Sequence, residues 1–174
     1  MNESKPSPAI RLRDLFLIFG AFVLVVIYLV PALNTNDALW FWPWFDAQPR
    51  EIVIYYGGEV STLRPEDADF APIVQVVNAI VKKRNAYTTL GLSPETVERY
   101  QRQEHAIELR YEHPTRIHTP YRFGPGDAYL IPLTGRHSEY HPIFAGLRGG
   151  WLIGALRMPT TEPLIERLQS LGYW

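Results

Sequence analysis

Apolar and polar positions divide the chain into one uninterrupted greasy run and a longer stretch of short alternating or helical patterns. From Leu15 to Leu33 the sequence LFLIFGAFVLVVIYLVPAL carries no charge, and Tyr28 is its only strong hydrogen-bonding side chain. At about 1.5 Å per residue, this run approaches the roughly 30 Å of a bilayer's hydrocarbon layer. A single segment in lipid satisfies its own backbone only as a helix, so residues 15–33 are expected to form a transmembrane helix, with Pro31 tolerated near its end.

Lys5, Arg11 and Arg13 precede the run, and no basic residue follows until Arg50. The positive-inside rule therefore places residues 1–14 in the cytoplasm as a short tail, and everything after residue 33 outside the plasma membrane. Val30-Pro31-Ala32 also offers small residues where a signal peptidase could cut, but the apolar run is longer than the roughly 7 to 15 residues of a usual signal core. A retained signal anchor is the expectation.

Just beyond the run comes ALWFWPWF, with three tryptophans and two phenylalanines in six consecutive positions. Trp40, Phe41, Trp42, Trp44 and Phe45 stand at the depth where amphipathic rings favour the headgroup zone, so residues 34–49 are expected to be an interfacial linker. Pro43 rules out a regular helix through it. The competing reading is that these rings dock on a partner or beneath the domain's own core.

Residues 50–174 read as one α+β domain with a mainly antiparallel sheet and about three helices packed on one face. Glu51–Tyr56 is apolar on both faces and predicts a central strand that stops at Gly57-Gly58. Phe70, Ile73, Val74, Val77, Ile80 and Val81 recur at helical spacing behind a candidate cap, Asp69. Ser93 and Pro94 open a second helix. In AIELRYE, Ile107, Leu109 and Tyr111 alternate with Glu108, Arg110 and Glu112, predicting a strand with one wet face. Ala128–Leu133 predicts another strand, which Pro132 assigns to an edge or an end. Two more strands are expected to join through Gly149-Gly150, and Leu164, Ile165, Leu168 and Leu171 mark a closing helix that stops at Gly172.

The charge balance, 17 basic against 18 acidic residues, creates no field that would hold a nucleic-acid backbone. The basic run Lys82-Lys83-Arg84 falls at a helix end, where cations complement the terminal dipole. With no cysteine, disulfides, thiolate zinc sites, iron–sulfur clusters and covalent haem are excluded.

Chemistry-bearing clusters are few. His113, His118, His137 and His141 lie in one stretch, and His137 and His141 are four apart, a spacing that could bring two imidazoles to a zinc ion; the opposing reading is exposed loop histidines. The carboxylates of PEDAD and ELRYE read as capping and solvated groups, and the glycine pairs read as turns without a phosphate-loop spacing. Tyr121, Arg122, Phe123, Tyr140, Arg148 and Trp151 have the composition of a protein interface.

These features lead to the expectation of a non-catalytic, single-pass accessory or stabilising subunit, of the kind bioenergetic membrane complexes recruit. Its expected partners are integral-membrane subunits and the lipid bilayer, with no cofactor, no small-molecule substrate and no nucleic acid. The alternatives are a membrane-tethered metal-dependent hydrolase using the His113, His118, His137 and His141 group, or an outer-face ligand-binding regulatory module.

Overall fold

The computed structural model describes residues 11–174. Most of the expected cytoplasmic tail, Lys5 included, lies outside the described residues. The greasy run forms helix α1, Leu12–Thr35, which at 24 residues extends about 36 Å. None of its side chains is buried against the rest of the chain. It is long and apolar enough to cross a membrane, a description that both a membrane anchor and a signal sequence meet.

The remainder is an antiparallel sheet of seven strands: β1 (Glu51–Tyr56), β2 (Glu59–Leu63), β3 (Ala86–Thr88), β4 (His105–Thr115), β5 (Gly126–Pro132), β6 (Pro142–Leu147) and β7 (Gly150–Arg157). Their spatial order is β2-β1-β4-β5-β6-β7-β3. Three helices accompany them: α2 (Phe70–Lys82), α3 (Pro94–Arg102) and α4 (Glu162–Ser170). The fold is α+β as expected, with a larger sheet than the patterns indicated.

Alternation along the strands sends successive side chains to opposite faces, and both faces are covered. On one face Ile52, Ile54, Ile107, Leu109, Tyr129, Ile131 and Ile143 meet the apolar stripe of α2 and Leu164 and Leu168 of α4. Burying each such side chain is worth roughly 1.5–3 kcal/mol relative to leaving it in water. On the other face Val53, Tyr55, Ala106, Leu130, Phe144 and Ala155 pack with Tyr100 of α3. The expectation that all helices share one face is therefore corrected. α3 carries a single buried residue, Tyr100, and that one ring closes the second layer.

Several local expectations change with context. Gly57-Gly58 does end β1, but as a tight turn into β2, whose EVSTL sequence has no clean alternation to reveal it. The three residues of β3 pair with β7. Of the two places expected for Pro132, an edge or a strand end, it takes the second, closing β5 inside the sheet. Asp69 makes no side-chain cap on α2; its carboxylate accepts the Tyr173 hydroxyl at 3.0 Å, tying the C-terminus to that helix start. Ser93 caps α3 as expected, accepting from the Thr96 N–H at 3.3 Å.

The β6–β7 turn is also shifted by one residue. Leu147 pairs with Gly150, so the two turn residues are Arg148 and Gly149, both left-handed at φ 53° and 79°. Two positive-φ residues suit the right-handed twist of a hairpin, and glycine or asparagine fits there better than arginine. Arg148→Asn is expected to stabilise the domain by about 0.5–1 kcal/mol, seen as a rise of roughly 2 °C in thermal unfolding in detergent. A lowered midpoint would show that the arginine side chain itself holds the turn.

Candidate functional site

The most constrained polar region lies where α1 meets the domain. The last carbonyls of a helix have no partner within it. Here the domain supplies partners: the Arg122 Nε–H donates to the Asn34 carbonyl at 3.2 Å and to its side-chain oxygen at 2.8 Å. Arg116 reaches the Thr35 carbonyl at 3.5 Å. Two residues on, buried Asp37 accepts from His118, whose Nδ1 stands 3.0 Å from both carboxylate oxygens. Cations at a helix C-terminus also complement its dipole.

Arg84 holds the segment that follows. Its guanidinium donates to the carbonyls of Trp42, Pro43 and Val81 at 3.0–3.1 Å and to that of His118. Burial pulls its pKa below the usual arginine value, and the Asp37 carboxylate opposes that shift. Lys82 lies over the Trp44 ring, 5.2 Å from its centre, and 3.4 Å from Asp46. The basic run at the end of α2 thus does more than complement a dipole: it fastens the linker.

The aromatic set divides in two. Phe41, Trp42 and Trp44 are exposed and Trp40 is half-buried, donating its indole N–H to the Tyr28 carbonyl at 3.2 Å. Phe45 is corrected from an interfacial to a core residue: it is 4% exposed and meets Tyr129 edge-on at 6.4 Å. It is the first residue of the linker to reach the sheet, so the sheet face claims its ring.

The six candidate interface residues do not form one patch. Tyr121 and Arg122 flank the joint, Tyr121 stacking on Tyr87 with ring centres 5.8 Å apart. Arg148 and Trp151 belong to the β6–β7 hairpin. Tyr140 sits beneath the Arg157 guanidinium, 5.5 Å away. Phe123 is withdrawn from the set, because it is 4% exposed and stacks against Tyr129 inside the core.

The histidines are also dispersed. His113 is exposed, His118 serves the joint, and His141 faces the Thr161 hydroxyl at 3.1 Å. A 3-10 turn at Ser138–Tyr140 separates His137 from His141 and points them to different neighbours. Among the described residues no three histidine or carboxylate side chains gather in a way that could hold a metal ion.

His137 is buried, and its Nδ1 lies 2.9 Å from the Tyr100 hydroxyl. Burial first, then Arg136, lowers its pKa; burial first, then Glu104, pushes Tyr100 up to about 12. The neutral imidazole therefore accepts the tyrosine proton near neutrality. Unfolding returns His137 to about 6.5, so the unfolded chain binds a proton that the folded chain refuses. Stability from this pair is full above about pH 6.5 and is lost as pH falls through the depressed folded value. Glu104, raised by burial, works in the opposite sense at lower pH. The comparison with His137→Gln isolates the histidine: the wild type's advantage in thermal unfolding is expected to shrink between about pH 7.5 and pH 5. A constant difference would contradict it.

One concavity, of about 560 Å³, opens over the sheet face beside α3 and the β6–β7 hairpin. Its floor corrects the expected wet face of β4 at Glu108, while Arg110 is half-buried and Glu112 exposed. Glu108 is 6% exposed, accepting the Tyr55 hydroxyl at 2.8 Å and Arg110 Nε–H at 2.7 Å. Arg110 also donates to Glu51 at 3.0 Å. That hydrogen bond, foremost, holds the Glu51 carboxyl below its ordinary value, while Glu108 holds the Arg110 guanidinium above its own. Burial first and then Glu108 push Tyr55 up to about 12. Glu112, Asp127 and Trp151 stand on the rim.

Asp37, Arg84, Arg116 and His118 are the residues that sequence reasoning left without this role. The one available signal was an isolated acid directly after an apolar run; its partner is 81 positions away. Comparison of the chain with protein-family models, with curated proteins and with solved structures finds no match.

Proposed function

We propose that this chain is a single-pass, non-catalytic accessory subunit of an integral-membrane assembly, holding its outer domain against a membrane partner. The observation that carries this reading is the joint: Asp37–His118, Arg122–Asn34 and the Arg84 carbonyl contacts fix the domain to the end of α1. A tether for a freely diffusing catalytic head needs slack, whereas a subunit that must present one face at one height needs a bonded exit. The apolar helix, with no side chain buried by the rest of the chain, supports the same reading, since lipid or partner helices would cover it. Arg11 and Arg13 before the helix, and the absence of cations in the sequence until Arg50, support a cytoplasmic N-terminus and an outer domain at the plasma membrane.

The test is site-specific photo-cross-linking in native membranes from Phe19 and Phe22 on the helix and from Tyr121 on the domain. Recovery of the same integral-membrane polypeptide from both regions is expected. A protein that yields only lipid adducts and purifies alone in mild detergent would reject the subunit reading. The groove supports a second reading, an outer-face ligand-binding module: Glu112 and Asp127 beside Trp151 suit a cationic group, with Arg50 and Arg110 in the same lining. A thermal shift with a cationic peptide that disappears on Asp127→Asn would favour it.

A further inference from the structure

We propose that the domain face around the α1 exit is a docking surface for anionic phospholipid headgroups, held by the guanidinium groups of Arg116 and Arg122. The proposal rests on α1 spanning a bilayer and adds to that reading a lipid preference. Depth comes first. The apolar run ends at Leu33, so Asn34 and Thr35 fall at the hydrocarbon boundary. Arg122 is held at that height by its two contacts to Asn34, and Arg116 lies 3.5 Å from the Thr35 carbonyl. The headgroup layer begins there and extends about 5–7 Å outward, within reach of a guanidinium.

Unused capacity comes second. A guanidinium has five N–H donors in a planar fork that fits phosphate. Arg122 uses Nε on Asn34, and Arg116 uses Nη1 on Thr35. Among the described residues no carboxylate stands within ion-pair distance of either. Lys83, just past the end of α2, is exposed, and among the described residues no carboxylate pairs with it. The acids named at this joint have partners, Asp37 hydrogen-bonded to His118 and Asp46 3.4 Å from Lys82. Arg84, by contrast, points its donors at the chain's own carbonyls and acts as a fastener.

The fold thus brings cations to a flank that the sequence leaves bare. No lysine or arginine lies between Arg13 and Arg50, yet Arg116 and Arg122 return from the β4–β5 connection to stand at the helix end. Exposed Phe41 and Trp42, which line one concavity with His118 and Tyr121, and exposed Trp44 suit the headgroup zone. Charge complementarity and continuity with the span select the bilayer's own lipid as occupant.

The experiment places the full chain in vesicles of phosphatidylcholine with about one part in five phosphatidylglycerol, extracts it in mild detergent and measures the lipids retained by mass spectrometry. Phosphatidylglycerol enriched about fivefold over the vesicle composition is expected, falling as salt rises from roughly 50 to 500 mM. Arg116→Gln with Arg122→Gln should return the ratio to that of the vesicle, while Arg99→Gln with Arg102→Gln on α3 should leave it enriched. Retention of both lipids in the vesicle ratio by the wild type overturns the proposal. Should the double variant fail to fold, the wild-type ratio and its salt dependence decide the matter. Carbonate washing separates the two readings: a chain stripped from vesicles overturns the span itself, and an integrated chain at the bulk ratio overturns only the headgroup preference.

Discussion

Glu108→Ala is expected to lower domain stability by about 3 kcal/mol, a fall of roughly 6–12 °C in thermal unfolding. The substitution leaves the buried Tyr55 hydroxyl without an acceptor and strips Arg110 of its shortest contact. Removing one member of a buried pair is costlier than the pair's net worth, because the survivor stays desolvated. Arg110 is partly open to water and keeps Glu51, which holds the loss near the lower end of that class. Glu108→Gln retains one acceptor and should cost about 1 kcal/mol, and Tyr55→Phe a similar amount. A double-mutant cycle between positions 55 and 108 should show coupling of roughly 1 kcal/mol. An Ala variant that melts within a degree of wild type would show that the groove floor is wet and that burial does not set its energetics.

Arg84→Met carries the second large effect. Four carbonyls lose a charged donor together, and those of Val81 and His118 are sheltered by the chain around them. Hydrogen bonds to a charged group contribute about 1.5–3 kcal/mol each, but Trp42 and Pro43 can turn to water. A loss of about 3 kcal/mol is expected, concentrated locally. The check is limited proteolysis of the purified chain: cleavage within residues 36–49 should accelerate far more than cleavage within the sheet. Equal acceleration everywhere would mean that Arg84 supports the whole fold and not the joint in particular.

What the residue pattern revealed, and what it hid, follow one distinction. Elements specified by neighbours in sequence were legible: the greasy run of α1, the apolar stripe of α2, the double-faced β1 and the Ser93 cap all depend on contacts within a few positions. Elements specified by distant partners were not. β3 has three residues and exists because β7 offers hydrogen bonds. Glu108 looks solvated beside Arg110 and Glu112, and only Tyr55, 53 positions earlier, draws it under cover. Phe45 and Phe123 read as surface aromatics until both are seen against the ring of Tyr129. α3 is charged at four of its nine positions and carries only Val97 and Tyr100 as large apolar residues, so one tyrosine could not announce which layer it closes. The candidate site suffered most, since all of its contacts except that of Arg84 with the Val81 carbonyl join segments that only folding brings together.

The bonded exit of α1 makes the domain a lever. A helix in a bilayer tilts when its apolar length exceeds the local hydrocarbon thickness. With slack after Thr35, such tilting would stop at the headgroups; with Asp37, Arg122 and Arg84 fastened, the sheet must lean with the helix. Across a body of this size, about 35 Å, a lean of roughly 10° carries the far loops about 6 Å sideways. Where α1 spans a bilayer, membrane thickness becomes a mechanical input that this architecture converts into lateral displacement of the domain.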